Sequence, residues 1–212
     1  MQKITETLKE YRVVPVISID KAEYALPLAD ALLEGGLPVA EITFRTSAAA
    51  AVISTLVEKR PELHVGAGTV LTPENVEAAI DAGAAFGVAP GCNPDTVELA
   101  EKRNWPFIPG VCTPSEIEAA LAMRCTVLKF FPAGAMGGVA MLKALSAPYA
   151  HTGVKFMPTG GVTEANLTEY LAVDSVLACG GTWIADKTDI AEGNWNKIKN
   201  RCRLVLEIVQ KR

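Results

Sequence analysis

Short runs of β-branched and small apolar residues alternate along this chain with longer segments whose apolar positions recur at i, i+3, i+4 and i+7. The runs predict eight strands: "VVPVISI" (13–19), "VAEITF" (39–44), "HVGAGTV" (64–70), "FGVAP" (86–90), "PFIPGV" (106–111), "VLKFFP" (127–132), "KFMPTGG" (155–161) and "SVLACGG" (175–181). The longer segments, such as "PENVEAAIDAGA" and "PSEIEAALAMRC", predict amphipathic helices. Thr72-Pro73 and Thr113-Pro114 each place a capping hydroxyl before a proline at the first helical position. Gly35-Gly36 and Gly83 mark helix ends.

The helical segments nearly repeat. "TPENVEAAIDAGA", "TPSEIEAALAMRC" and "TEANLTEYLAVDS" each follow a strand and occupy the same place in a strand–turn–helix unit. Eight such units fit 212 residues. The expected fold is therefore α/β, one (β/α)8 TIM barrel spanning residues 1–212 as a single domain, with an extra N-terminal helix over about 2–11. An open doubly wound sheet is the rival. It usually carries G-x-G-x-x-G after its first strand, and "VISIDKAEYALP" has no glycine.

Charge narrows the classes of partner. The net charge is −4 with no basic cluster, which argues against nucleic acid or an anionic membrane as partner. No stretch approaches the ~20 apolar residues of a membrane-spanning helix, and the first residues lack the apolar core of a signal peptide. The five cysteines, Cys92, Cys112, Cys125, Cys179 and Cys202, form an odd set without a C-x-x-C pair. Reduced thiols and a cytoplasmic location are the expectation.

Barrels of this kind place their chemistry at the C-terminal ends of strands. Three residues there are out of place among apolar neighbours. Glu41 interrupts "VAEITFRT", and period-two alternation puts it on one face with Thr43 and Arg45. Lys129 interrupts "VLKFFP" on the face of Val127 and Phe131, and Thr69 ends "GAGT". A structural ion pair between Glu41 and Lys129 is the plain alternative, and Thr69 could simply fill a β-propensity slot. Met136, Met141 and Trp183 read as packing. His64 and His151 have no second ligand at metal spacing, whereas a zinc site needs about three. A zinc site is not expected, a carboxylate-bound Mg²⁺ is the open alternative, and the reading adopted needs neither a metal nor another cofactor.

Carbonyl activation without a metal points to a neutral lysine amine that condenses with a ketone. Desolvation of Lys129 favours that neutral form. A carboxylate on Glu41 at ~5 Å and effective dielectric ~20 favours the ammonium by roughly 3 kcal/mol. Arg45 is expected to offset Glu41 and to take a substrate carboxylate on its planar fork. Glu41 is then free to act as general acid and base. "PTGGVT" and "CGGTW", after the seventh and eighth strands, offer Thr159, Gly160, Gly161, Gly180, Gly181 and Thr182 to a phosphate; tight turns alone are the alternative.

Taken in order, "PVI", "AEITFRT", "GAGTVLTPE", "PGCNP", "IPGV", "LKFFPAGAMGGV", "PTGGV" and "CGGTW" resemble one family over nearly the whole chain. This is the bacterial class I aldolases that cleave 2-keto-3-deoxy-6-phosphogluconate (KDPG), also described as 4-hydroxy-2-oxoglutarate aldolases. The resemblance implies a metal-free homotrimer of the Entner–Doudoroff pathway whose substrate is a phosphorylated keto acid and whose product is pyruvate. It implies Lys129 as Schiff-base lysine, Glu41 as general acid/base, and Arg45 and Thr69 at the pyruvyl carboxylate. Pro90 and Phe131 would line the pocket, and the two glycine turns would hold the phosphate. Thr182 stands where relatives often carry serine, and "AGAMGG" replaces a loop that often includes an acidic residue. Competing readings are the 6-phosphogalactonate epimer as substrate, a non-covalent phosphosugar isomerase or epimerase using Glu41 as base, and a phosphometabolite-binding protein.

Overall fold

The computed structural model describes residues 2–211. Seven of the predicted runs form single strands: β1 (Val13–Ile17), β2 (Val39–Thr43), β3 (His64–Gly68), β4 (Phe86–Val88), β7 (Val127–Phe130), β8 (Lys155–Pro158) and β9 (Cys179–Gly181). The run at 106–111 divides into β5 (Phe107–Ile108) and β6 (Gly110–Val111). The divider is Pro109, which has no N–H to give a ladder; its carbonyl accepts the Lys129 N–H at 2.8 Å.

All pairings are parallel. One sheet runs β5-β4-β3-β2-β1-β9 and the other β6-β7-β8, together a curled α/β arrangement. Single bridges, Phe156 to Val176 and Thr159 to Gly180, link the β8 strand to the chain around β9. The predicted strand at 175–181 therefore begins late. Residues 175–177 hold β8 through Phe156 N–H to Ser175 O (2.7 Å) and Leu177 N–H to Phe156 O (2.9 Å), without a continuous ladder.

The helices are α1 (Gln2–Tyr11), α2 (Ala25–Glu34), α3 (Ala49–Lys59), α4 (Pro73–Asp81), α5 (Pro94–Lys102), α6 (Pro114–Ala122), α7 (Gly138–Ser146), α8 (Glu164–Leu171), α9 (Lys187–Ala191) and α10 (Trp195–Gln210). Their starts follow the sequence signals. Thr72 accepts the Asn75 N–H at 3.3 Å, and Thr113 with Glu116 forms a reciprocal capping box. Asn166 plays the Glu116 part at α8, accepting the Thr163 N–H at 2.8 Å.

Leu28 and Leu32 of α2, Val52 and Ile53 of α3, Ile117 of α6 and Leu167 of α8 are buried in one continuous core with the strands. Each such side chain contributes about 1.5–3 kcal/mol relative to exposure. That many-sided burial makes the sheet ends rigid enough to hold side chains in place. Among the described residues no helix is long and apolar enough to cross a membrane.

Candidate active site

Glu41 lies in mid-β2, paired in register with Val16 of β1 and Gly66 of β3. Lys129 lies in β7, between Gly110 of β6 and Met157 of β8. The two residues come from different sheets, yet their side chains meet inside. Lys129 Nζ donates to Glu41 Oε1 at 3.3 Å, with the lysine side chain 5% and the glutamate side chain 0% exposed. The Phe131 ring centroid is 5.5 Å from the same nitrogen. Glu41 Oε2 is buried and has no hydrogen-bond partner. A buried carboxylate oxygen left bare is costly, so this atom is a standing acceptor for a donor brought in from outside.

The neighbouring backbone is shaped around that pair. Phe86 fills the space a side chain at Gly66 would need, and the Glu41 carboxylate fills the space at Gly68. Pro90 presses its carbonyl on Gly110, the residue opposite Lys129 in the ladder. Thr69 follows with φ +56°, a left-handed conformation unusual for a β-branched residue.

Arg45 corrects one expectation. β2 ends at Thr43, so period-two alternation stops before residue 45. Arg45 is exposed at the rim, its Nε donating to Thr43 Oγ1 at 3.1 Å, while Thr43 Oγ1 donates to Ile17 O at 2.9 Å. Among the described residues the ion pair of Glu41 is with Lys129, and Arg45 makes no ion pair with it. Arg45 instead lines a hollow of about 420 Å³ with Val16, Ser18, Thr182 and Lys187. Lys187 is tied to Asp20 at 2.8 Å across that rim.

The two glycine turns differ from each other. Gly160 and Gly161 have φ of +84° and +85°, so glycine is needed there by the backbone itself. Their turn is strapped to the loop after β7: Ala133 N–H donates to Thr159 O at 2.8 Å and Gly134 N–H to Gly160 O at 2.7 Å. The Phe131 ring lies against Gly160, between the lysine and this turn. Gly180 and Gly181, by contrast, make room for the Thr159 side chain and the Trp183 ring. Gly68 lies inside the run "HVGAGTV", where a glycine reads as room for a ligand against the backbone, and Gly134 carries no signal of its own. Their roles show only in what lies against them.

Other nucleophiles are muted. All five cysteines are free, and burial pushes every thiol up, Cys125 to about 11 and Cys202 to about 12. Among the described residues no group of three or more His, Cys, Asp or Glu side chains is placed to hold a metal ion.

Comparison with known proteins adds an independent line. Residues 4–201 match the family of aldolases described as KDPG and KHG aldolase. The chain is 48% identical over 209 residues to the 2-dehydro-3-deoxy-phosphogluconate aldolase of Haemophilus influenzae, covering 99% of this chain and 98% of the relative. It is 40% identical over 195 residues to the KHG/KDPG aldolase of Escherichia coli, covering 92% and 91%. Its fold is similar to the crystal structure of KDPG aldolase from Legionella pneumophila with pyruvate captured at low pH as a covalent carbinolamine intermediate. The TM-score is 0.90 at 40% identity, over 95% of this chain and 97% of that one.

Proposed function

Because the chain belongs to the KDPG and KHG aldolase family, we propose that it cleaves 2-dehydro-3-deoxy-6-phosphogluconate to pyruvate and glyceraldehyde 3-phosphate through an imine on Lys129. The observation that carries this reading is the buried pair itself. A lysine amine sits 3.3 Å from a carboxylate whose second oxygen has no partner.

Glu41 takes a proton from the Lys129 ammonium, and the freed lone pair adds to the C2 ketone of the substrate. Glu41 returns its proton to the carbinolamine hydroxyl, which leaves as water, so a protonated imine and an ionised Glu41 remain. The Phe131 ring near Nζ attracts that cation by about 0.5–2 kcal/mol. Glu41, through a water, then takes the C4 hydroxyl proton and the C3–C4 bond breaks. Its electrons flow into the iminium, glyceraldehyde 3-phosphate leaves, and the enamine takes a proton at C3. Hydrolysis frees pyruvate and the lysine.

Arg45 and Thr69, at the ends of β2 and β3, receive the pyruvyl carboxylate, while Pro90 and Phe131 flank the reacting carbons. Thr159, Gly160, Gly161, Gly180, Gly181 and Thr182 take the phosphate on backbone N–H groups and hydroxyls. Holding the phosphate far from the breaking bond fixes the reacting geometry. 4-Hydroxy-2-oxoglutarate, which lacks the phosphate, is the second substrate of this reading, as the name of the E. coli relative suggests for that protein.

The architecture of the reading is one domain, a closed (β/α)8 barrel preceded by α1. Its support is that β5 and β6 are one strand interrupted at Pro109, and that the bridges at Val176 and Gly180 join β8 to β9, which pairs with β1. A cytoplasmic homotrimer completes it, and light scattering on the purified protein checks the trimer. Borohydride with pyruvate tests the chemistry: one stable adduct on Lys129 by peptide mass spectrometry is expected, in the presence of EDTA as in its absence. An unmodified protein under conditions that trap a control imine enzyme would overturn it.

A further inference from the structure

We infer that Gly68 is a positioning residue whose missing side chain fixes where the Glu41 carboxylate stands relative to Lys129. The inference rests on the acid/base role of Glu41 proposed above and goes beyond it.

Gly68 is the last residue of β3, paired in register with Thr43 of β2. Its φ lies outside the left-handed region, so the backbone gives no reason for glycine there. The reason lies in space. A Cβ at residue 68 would fall on Glu41 Oε1, and at 2.7 and 2.8 Å from Glu41 Cγ and Cδ, closer than carbon atoms approach without something moving. The three nearest atoms all belong to one side chain, and that side chain is fully buried.

The nearest obstacle would therefore be the reacting carboxylate. Glu41 has little freedom to yield, because Oε1 is held by Lys129 at 3.3 Å. A methyl group at residue 68 would push the carboxylate off both the amine and the place where Oε2 waits for a donor. Displacements of about 1 Å at such a centre cost on the order of 10²-fold in rate. Gly66, two residues earlier, serves as an internal contrast. Its space is taken by the Phe86 ring, so an alanine there would disturb packing rather than the acid/base group.

The experiment is a double-substitution cycle with Gly68→Ala and Glu41→Ala, read by kcat, KM and melting temperature. Gly68→Ala alone is expected to lower kcat by about 100-fold with KM within about threefold. In the Glu41→Ala background the nearest obstacle is gone. There the same methyl is expected to cost less than about threefold in kcat and no melting temperature. Gly68→Ala failing to fold while the double variant folds supports the same conclusion. Equal losses in both backgrounds, or a double variant that unfolds where Glu41→Ala is stable, would show that glycine serves the backbone and sink the inference. If Glu41→Ala itself keeps full activity, it is the acid/base assignment that fails. If Glu41→Ala is impaired and Gly68→Ala is not, only the inference about Gly68 fails.

Discussion

Two buried carboxylates in this molecule have opposite fates. Asp189, in α9, is 2% exposed, and every side of it is met. Lys197 Nζ and Asn194 Nδ2 donate to its Oδ1 at 2.8 and 3.0 Å, and Arg201 Nη1 donates to Oδ2. Burial alone would push its carboxyl up, but those donors hold it far below the usual carboxylate range. Glu41 is as deeply buried and has one donor on one oxygen. Burial is common to both, so burial does not mark a working group. Unmet hydrogen-bonding capacity does: Asp189 is a saturated clamp between α9 and α10, whereas Glu41 Oε2 has no protein donor.

The contrast breaks most visibly at Lys129. Lys129→Ala is expected to lower turnover by at least about 10⁴-fold and to abolish the borohydride adduct, since among the described residues Lys129 is the amine paired with Glu41. Replacing Lys197 at the clamp should leave turnover within about twofold in the same assay. Next in size, Glu41→Gln keeps the shape and loses the proton carrier, and kcat should fall about 10²–10⁴-fold. Asp189→Asn reverses the pattern: kcat unchanged, melting temperature down by roughly 5–10 °C at pH 7. Its carboxyl is depressed in the folded state, so its stabilisation is complete above the unfolded value near ~3.9 and fades as pH falls below it. The melting difference between wild type and Asp189→Asn should therefore shrink below about pH 4. The smallest effect concerns Thr69. Relieving its left-handed backbone with Thr69→Gly should raise the melting temperature by about 2–5 °C while weakening pyruvate binding, because the strain is retained at the site.

Much of this was legible in the chain because charge inside an apolar strand has few meanings. Glu41 and Lys129 announced themselves that way, and the strand and helix runs were clear from their periods. Alternation reads Arg45 as a direct partner for Glu41, but it holds only while the strand continues; β2 stops at Thr43, and Arg45 Nε donates to the Thr43 hydroxyl instead. The break at Pro109 was hidden because "PFIPGV" stays apolar on both sides of it. Asp189 carries no local signal in the sequence; only folding brings Lys197 and Arg201 to it. The part of the two glycines at 66 and 68 depended on which side chain crosses from the next strand, and no local pattern carries that.

The muted thiols have a practical corollary. With burial pushing every thiol up, an alkylating oxo-acid should meet less competition from sulfur and mark the pocket selectively. Such a reagent would count working sites per chain by label stoichiometry, with no need to follow turnover.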